Sequence, residues 1–157
     1  MLKKTMLALI VSVATSAAIA MPTAPGSKDD AKALAERAMA HVKKVGFEQA
    51  VKDFTSDQAT WGLSNRDRAV YVYSYAFDGK NLAHGVNPAV VGKDLLNIKD
   101  PDGRTPIAES VEKARSGGGF VEFKWSHPAT KKISRGAAFV IPVPGQNAYV
   151  AGHAFLE

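Results

Sequence analysis

The chain contains no cysteine in its 157 residues. That absence excludes a disulfide framework, a thiol nucleophile and thiolate metal sites, and leaves stability to an ordinary apolar core. Long hydrophobic runs are also scarce: beyond the N-terminus nothing approaches the ~20 apolar residues that a membrane-spanning helix needs. Charge of one sign is not concentrated anywhere. Twenty basic against 15 acidic side chains give a formal +5, and setting aside Lys3 and Lys4 leaves 18 against 15, a scattered +3 that does not point to nucleic acid. No Gly-x-Ser-x-Gly elbow is present, and Ser110, Ser116 and Ser126 stand in no recognisable nucleophile context. Asp100 and Asp102 fall in an Asp-Pro-Asp-Gly turn, where local backbone bonding accounts for them. His84, His127 and His153 lack a metal-ligand spacing, so the expectation is no metal, no cofactor and no enzyme.

What is present begins with a leader. Lys3 and Lys4 precede an apolar run from Met6 to Ala18, and Ala18-Ile19-Ala20 offers a small-x-small cleavage site, so residues 1–20 read as a secretory signal peptide. Residues 21–27, with two prolines and a glycine, read as a flexible leader, and residues 28–157 as one domain. Export without cysteine fits a bacterial periplasmic or secreted protein with no membrane span after cleavage.

Ser27 and Asp30 resemble a capping box, and Ala31, Leu34, Ala35, Ala38, Val42 and Val45 recur at helical spacing, predicting a helix over 28–45 that Gly46 ends. A second helix is expected over Phe47–Phe54. The period then changes to two: Tyr71, Tyr73, Tyr75 and Phe77 alternate with Val70, Val72, Ser74 and Ala76, a strand with aromatics on one face and small residues on the other. Asp78-Gly79 predicts a hairpin turn into a strand over Asn81–His84, which Asn87-Pro88 stops. Residues 86–104 read as an ordered connection. Thr105 is a candidate cap for a helix opening on Pro106, and Gly117-Gly118-Gly119 reads as its stop, not as a phosphate loop. Three strands follow, around Val121–Trp125, Ile133–Ile141 and Ala148–Phe155. The order is that of an α+β domain with an antiparallel five-stranded sheet.

The run from Tyr71 to Trp125 joins an aromatic strand, Asp78-Gly79, Leu82-Ala83-His84, Asn87-Pro88, Gly92-Lys93, an Asp100-x-x-Gly103 turn and a helix that ends in Gly117 and Gly119. In this it resembles the single Cache domains, type-2-like, which are extracytoplasmic sensor modules of bacterial chemoreceptors and histidine kinases. The resemblance covers about residues 28–155. It implies a PAS-like Cache fold, in which a long N-terminal helix packs along a curved antiparallel sheet whose other face carries a small-molecule pocket. It also implies a binding module without catalysis, for small organic acids, amino acids or similar metabolites. Relatives pass occupancy to an output domain; here a free-standing version is expected, with a membrane receptor or kinase acting in trans as the reader of occupancy. Towards the C-terminus the pattern departs. Where many relatives carry a lysine before an aromatic strand, this chain has Arg135-Gly136, and a one-residue slip on a strand changes the face a side chain occupies. Tyr149 is the aromatic nearest the tryptophan usual in the last hairpin.

The candidate ligand-binding residues are therefore Tyr71, Tyr73, His84, Trp125, Arg135 and Tyr149. Arginine can hold a carboxylate through two parallel hydrogen bonds, which makes Arg135 the expected anion partner. The plainer reading stands beside this: core packing for the tyrosines and Trp125, a solvated strand face for Arg135, a turn-stabilising hydrogen bond for His84. Two functions follow, a small-ligand sensor, or a protein-interaction domain whose own side chains fill the pocket. They differ in whether the aromatic face encloses a cavity with Arg135 turned inward.

Overall fold

Alternation along Val70–Ala76 gives β1 two unlike faces, and the helices and loops divide between them. The computed structural model describes residues 24–63 and 68–156; the expected signal peptide, and residues 21–23 of the leader, lie outside the described residues. β1 is followed by β2 (Asn81–His84), β3 (Gly119–Ser126), β4 (Ile133–Pro142) and β5 (Ala148–Phe155). They form a five-stranded sheet in the order β2-β1-β5-β4-β3, every neighbouring pair antiparallel. The last strand in sequence thus lies in the middle, which explains why every residue of β5 is buried.

One face takes the helices. α1 (Lys28–Val45) starts at the Ser27–Asp30 capping box, with both reciprocal hydrogen bonds made. It buries Ala31, Leu34, Ala35, Ala38, Met39 and Val42 against Val70, Val72, Val150 and Ala154. Small residues on both sides let the backbones approach. At Gly152 an added Cβ would stand 2.2 Å from the Ala31 carbonyl oxygen and 2.7 Å from the Ala35 nitrogen, so only glycine fits. α2 (Phe47–Ser56) and the short α3 (Gln58–Trp61) close this layer, with Phe54 and Trp61 in an edge-on aromatic pair at 4.9 Å. The end of the expected flexible leader is pinned instead. The Gly26 amide donates to the Phe155 carbonyl at 2.7 Å and the Ala24 carbonyl accepts from the Ala69 amide at 3.0 Å, because the sheet offers these groups unpaired at its margin.

The other face carries Tyr71, Tyr73, Tyr75, Tyr149, Val121, Phe123 and Phe155. It is roofed by α4 (Pro106–Arg115) and the connection 86–104. Thr105 holds the position before α4 but makes no side-chain cap bond; the fixed backbone of Pro106 starts the helix. The connection crosses from one edge of the sheet to the other. Beside β2, the Asn81 amide donates to Lys93 O at 2.9 Å and Gly92 N to Asn81 O at 2.8 Å. At β3, the buried Asp100 carboxylate accepts from the amides of Asp102 (3.0 Å), Arg104 (2.9 Å) and Lys124 (3.3 Å). Leu95, Leu96 and Ile98, too apolar for open solvent, thereby face the aromatic floor.

Candidate ligand-binding site

Between floor and roof lies a small cleft of about 130 Å³, on the scale of a single aromatic ring. Tyr71, Tyr73 and Tyr75 of β1 and Phe123 and Trp125 of β3 line it from the sheet. Val90, Leu95, Ile98, Pro106 and Ile107 line it from the roof, and His84 and Asn87 from the exit of β2. No Lys, Arg, Asp or Glu is among these lining residues.

His84 is the polar centre of the wall. Its Nδ1 accepts from the backbone amides of Asn87 (3.0 Å) and Val86 (3.3 Å), which puts the ring proton on Nε2 and leaves that nitrogen a donor. The ring stacks on Tyr71 at a centroid distance of 5.0 Å. Burial holds its pKa down to about 4, so it is neutral at ordinary pH. His84 thus both fastens the turn and offers an N–H.

The structure brings together four of the six residues expected from the sequence: Tyr71, Tyr73, His84 and Trp125 all line the cleft. Tyr149 shares their face but lies beneath it, fully buried and stacked on Tyr75 at 6.0 Å. The hydroxyls of Tyr73 and Tyr149 are buried without a partner in hydrogen-bonding geometry; Ser110 lies beside both, its own proton directed to the Pro106 carbonyl at 2.7 Å. Arg135 is on the opposite face. It pairs with Lys124 across β3–β4, and its guanidinium lies 3.7 Å from Glu122, the carboxylate that also binds Lys28 of α1. Strand alternation gives the pocket face to Gly136 instead, so Arg135 is not the anion partner.

At that position the floor is filled by His153, which the sequence reading considers only as a metal ligand and not among the ligand-binding residues. A Cβ on Gly136 would meet His153 Nε2 at 2.2 Å, so the imidazole occupies the space a side chain at 136 would need. His153 is fully buried, stacked on Phe123 at 5.1 Å and edge-on to Phe155 at 4.6 Å, with neither ring nitrogen bonded. Burial lowers its pKa to about 3, with the neighbouring His84 and His127 adding to the shift. The alternation from Tyr149 to Phe155 already places His153 on the pocket face, and that was the available signal. His127 repeats the device of His84: its Nδ1 accepts from the amides of Ala129 (3.1 Å) and Thr130 (3.3 Å) while the ring packs on Phe155 at 4.6 Å. Despite their proximity the three histidines form no metal-binding group; none of three or more His, Cys, Asp or Glu occurs among the described residues. No helix among these residues is long and apolar enough to cross a membrane.

Known proteins share this fold. Residues 10–157 match the family described as Single Cache domain 2. A sensor histidine kinase, MctS of Rhizobium johnstonii, is 37% identical over 71 residues, 45% of this chain. The match spans 15% of that kinase's length. Among solved structures, a methyl-accepting chemotaxis protein of Vibrio parahaemolyticus superposes with a TM-score of 0.69 at 20% identity, covering 83% of this chain and 88% of the other. A Cache chemosensory domain described for its recognition of carboxylic acids gives 0.67 at 17% identity, covering 82% and 92%. At these identities the structures bear on fold alone, but the family match spans nearly the whole chain: the protein belongs to the Single Cache domain 2 family of sensor modules.

Proposed function

We propose that the chain is an extracytoplasmic sensor domain that binds a small organic acid in the cleft between its aromatic floor and the 86–104 roof. The observation that carries this reading is the cleft itself, an apolar and aromatic space with few polar groups at its wall, His84 foremost. Carboxylic-acid recognition by a domain of the same fold supports the choice of ligand class. An amino acid fits less well, because its ammonium finds no carboxylate in the lining. A protein-interaction role with a filled pocket is disfavoured by the open cleft. The sensor of this fold exerts its effect through a partner that reads occupancy, a receptor or kinase of the kind seen among the relatives.

The test is a thermal-shift screen against organic acids, amino acids and amines, since a ligand that binds only the folded form raises the melting temperature. A shift abolished by Ile107→Trp, which fills the cleft, and kept by Arg135→Ala is the expected result. A shift that survives Ile107→Trp and disappears in Arg135→Ala would place the ligand on the helix face and refute the proposal.

A further inference from the structure

The inner cleft offers no cation, so a carboxylate lying wholly within it would be a buried, unpaired charge, which is costly. A second, more open cleft of about 460 Å³ adjoins it and shares Tyr71, His84, Asn87 and Trp125. Among the described residues, the one cationic side chain lining that outer cleft is Lys131. Its backbone is held by the β3–β4 turn, and its side chain is exposed. The Lys131 amide donates to the His127 carbonyl at 2.8 Å, the His127 amide to Lys132 O at 2.8 Å, and the His127 ring gathers Ala129 and Thr130. Lys131 itself takes φ 60°, the left-handed region that a lysine occupies only when its surroundings hold it there. Among the described residues no carboxylate pairs with its ammonium.

Resting on the binding reading above, we infer that the two clefts hold one amphiphilic ligand: a monocarboxylic acid whose head meets Lys131 and His84 in the outer cleft and whose aryl or medium-chain alkyl tail fills the inner one. His84 sits at the junction, where its Nε2–H reaches an oxygen that Lys131 neutralises. Aromatic walls at Tyr71 and Trp125 favour a flat tail, by stacking and by apolar area removed from water. Acetate uses only the head site.

Calorimetric titration of 3-phenylpropionate, its primary amide and acetate into the wild-type protein and Lys131→Gln tests this, with circular dichroism to verify that the variant is folded. In the wild type the acid binds about tenfold tighter than the amide, the order expected of a charge-assisted contact to an exposed lysine. Acetate binds at least tenfold more weakly than the acid. In Lys131→Gln the acid and amide converge to within about twofold. An acid preference unchanged by Lys131→Gln, equal binding of acid and amide in the wild type, or acetate as tight as the acid would each overturn the inference while leaving the cleft a binding site. Failure of all three compounds to bind, with a short hydroxy- or dicarboxylate shifting the melting temperature, has the same meaning. Silence from every organic acid overturns the binding reading as well.

Discussion

The two faces of the sheet are built from different residues and do different work. On the helix face, Val72, Val150, Gly152 and Ala154 meet Ala31, Ala35 and Ala38 at backbone distance, leaving no room for a ligand. On the other, Tyr71, Tyr73, Phe123 and Trp125 are too large and too angular to pack flush under a roof of loop and one short helix, and a cleft remains. Among the buried side-chain polar atoms without a partner, the Tyr73 and Tyr149 hydroxyls and both His153 nitrogens lie on the cleft side. One face holds the fold together; the other borders the cleft and keeps these buried polar atoms without partners.

The largest effect expected from breaking this contrast is at Gly152. Gly152→Val drives a side chain into the α1 backbone at Ala31 and Ala35, which cannot yield as a side chain would, and destabilises by about 3 kcal/mol. Urea unfolding reads it; a midpoint equal to wild type would mean that the helix face is not close-packed. Next is the roof. Asp100→Ala leaves three backbone amides without their carboxylate and costs about 2–3 kcal/mol. Hydrogen exchange in 86–104 should rise while α1 stays protected, and uniform exchange across the chain would contradict a separately fastened roof.

Acid sharpens the comparison, because it acts on the cleft side. His84 and His153 titrate near 4 and 3 when folded and near 6.5 when unfolded, so below 6.5 the unfolded chain binds more protons. Their contribution is intact above pH 6.5 and is lost as the pH falls towards 4 and then 3, at about 1.4 kcal/mol per pH unit for each histidine. His153→Leu should flatten that slope and, by removing two unbonded nitrogens, leave neutral-pH stability equal or raised. An unchanged slope between pH 6 and 4 would show that His153 is not buried as described. The smallest effect is at Tyr73→Phe, which removes a hydroxyl without a partner and should change stability by less than about 0.5 kcal/mol. A loss above 2 kcal/mol would reveal a hydrogen bond.

Much of this architecture is legible along the chain, because the patterns are local. The capping box bounds α1, and the tyrosine alternation sorts the faces of β1 before any partner strand is known. The site is legible only in part. Tyr71, Tyr73, His84 and Trp125 follow from strand period and turn, whereas Leu95, Ile98 and Ile107 reach the cleft through the long-range tie of Asp100 to β3, which no periodicity encodes. Arg135 is expected in the pocket from the resemblance and its carboxylate chemistry; the register Arg135–Lys124 turns it to the helix side, and one residue's displacement on a strand is enough to do so. From sequence His153 is weighed only as a metal ligand, because a histidine between small residues carries no other motif, and its place in the floor depends on Gly136, a position without a side chain on the neighbouring strand.

The central claim is that ligand enters the aromatic side and not the helix side. Amide chemical-shift mapping of the isotopically labelled protein, titrated with an acid that raises its melting temperature, tests it most directly. Shifts clustered in His84–Ile98 and Phe123–Trp125, with Ala31–Val42 unmoved, are the predicted result. Shifts centred on α1 and Arg135, with the 84–98 segment silent, would contradict it.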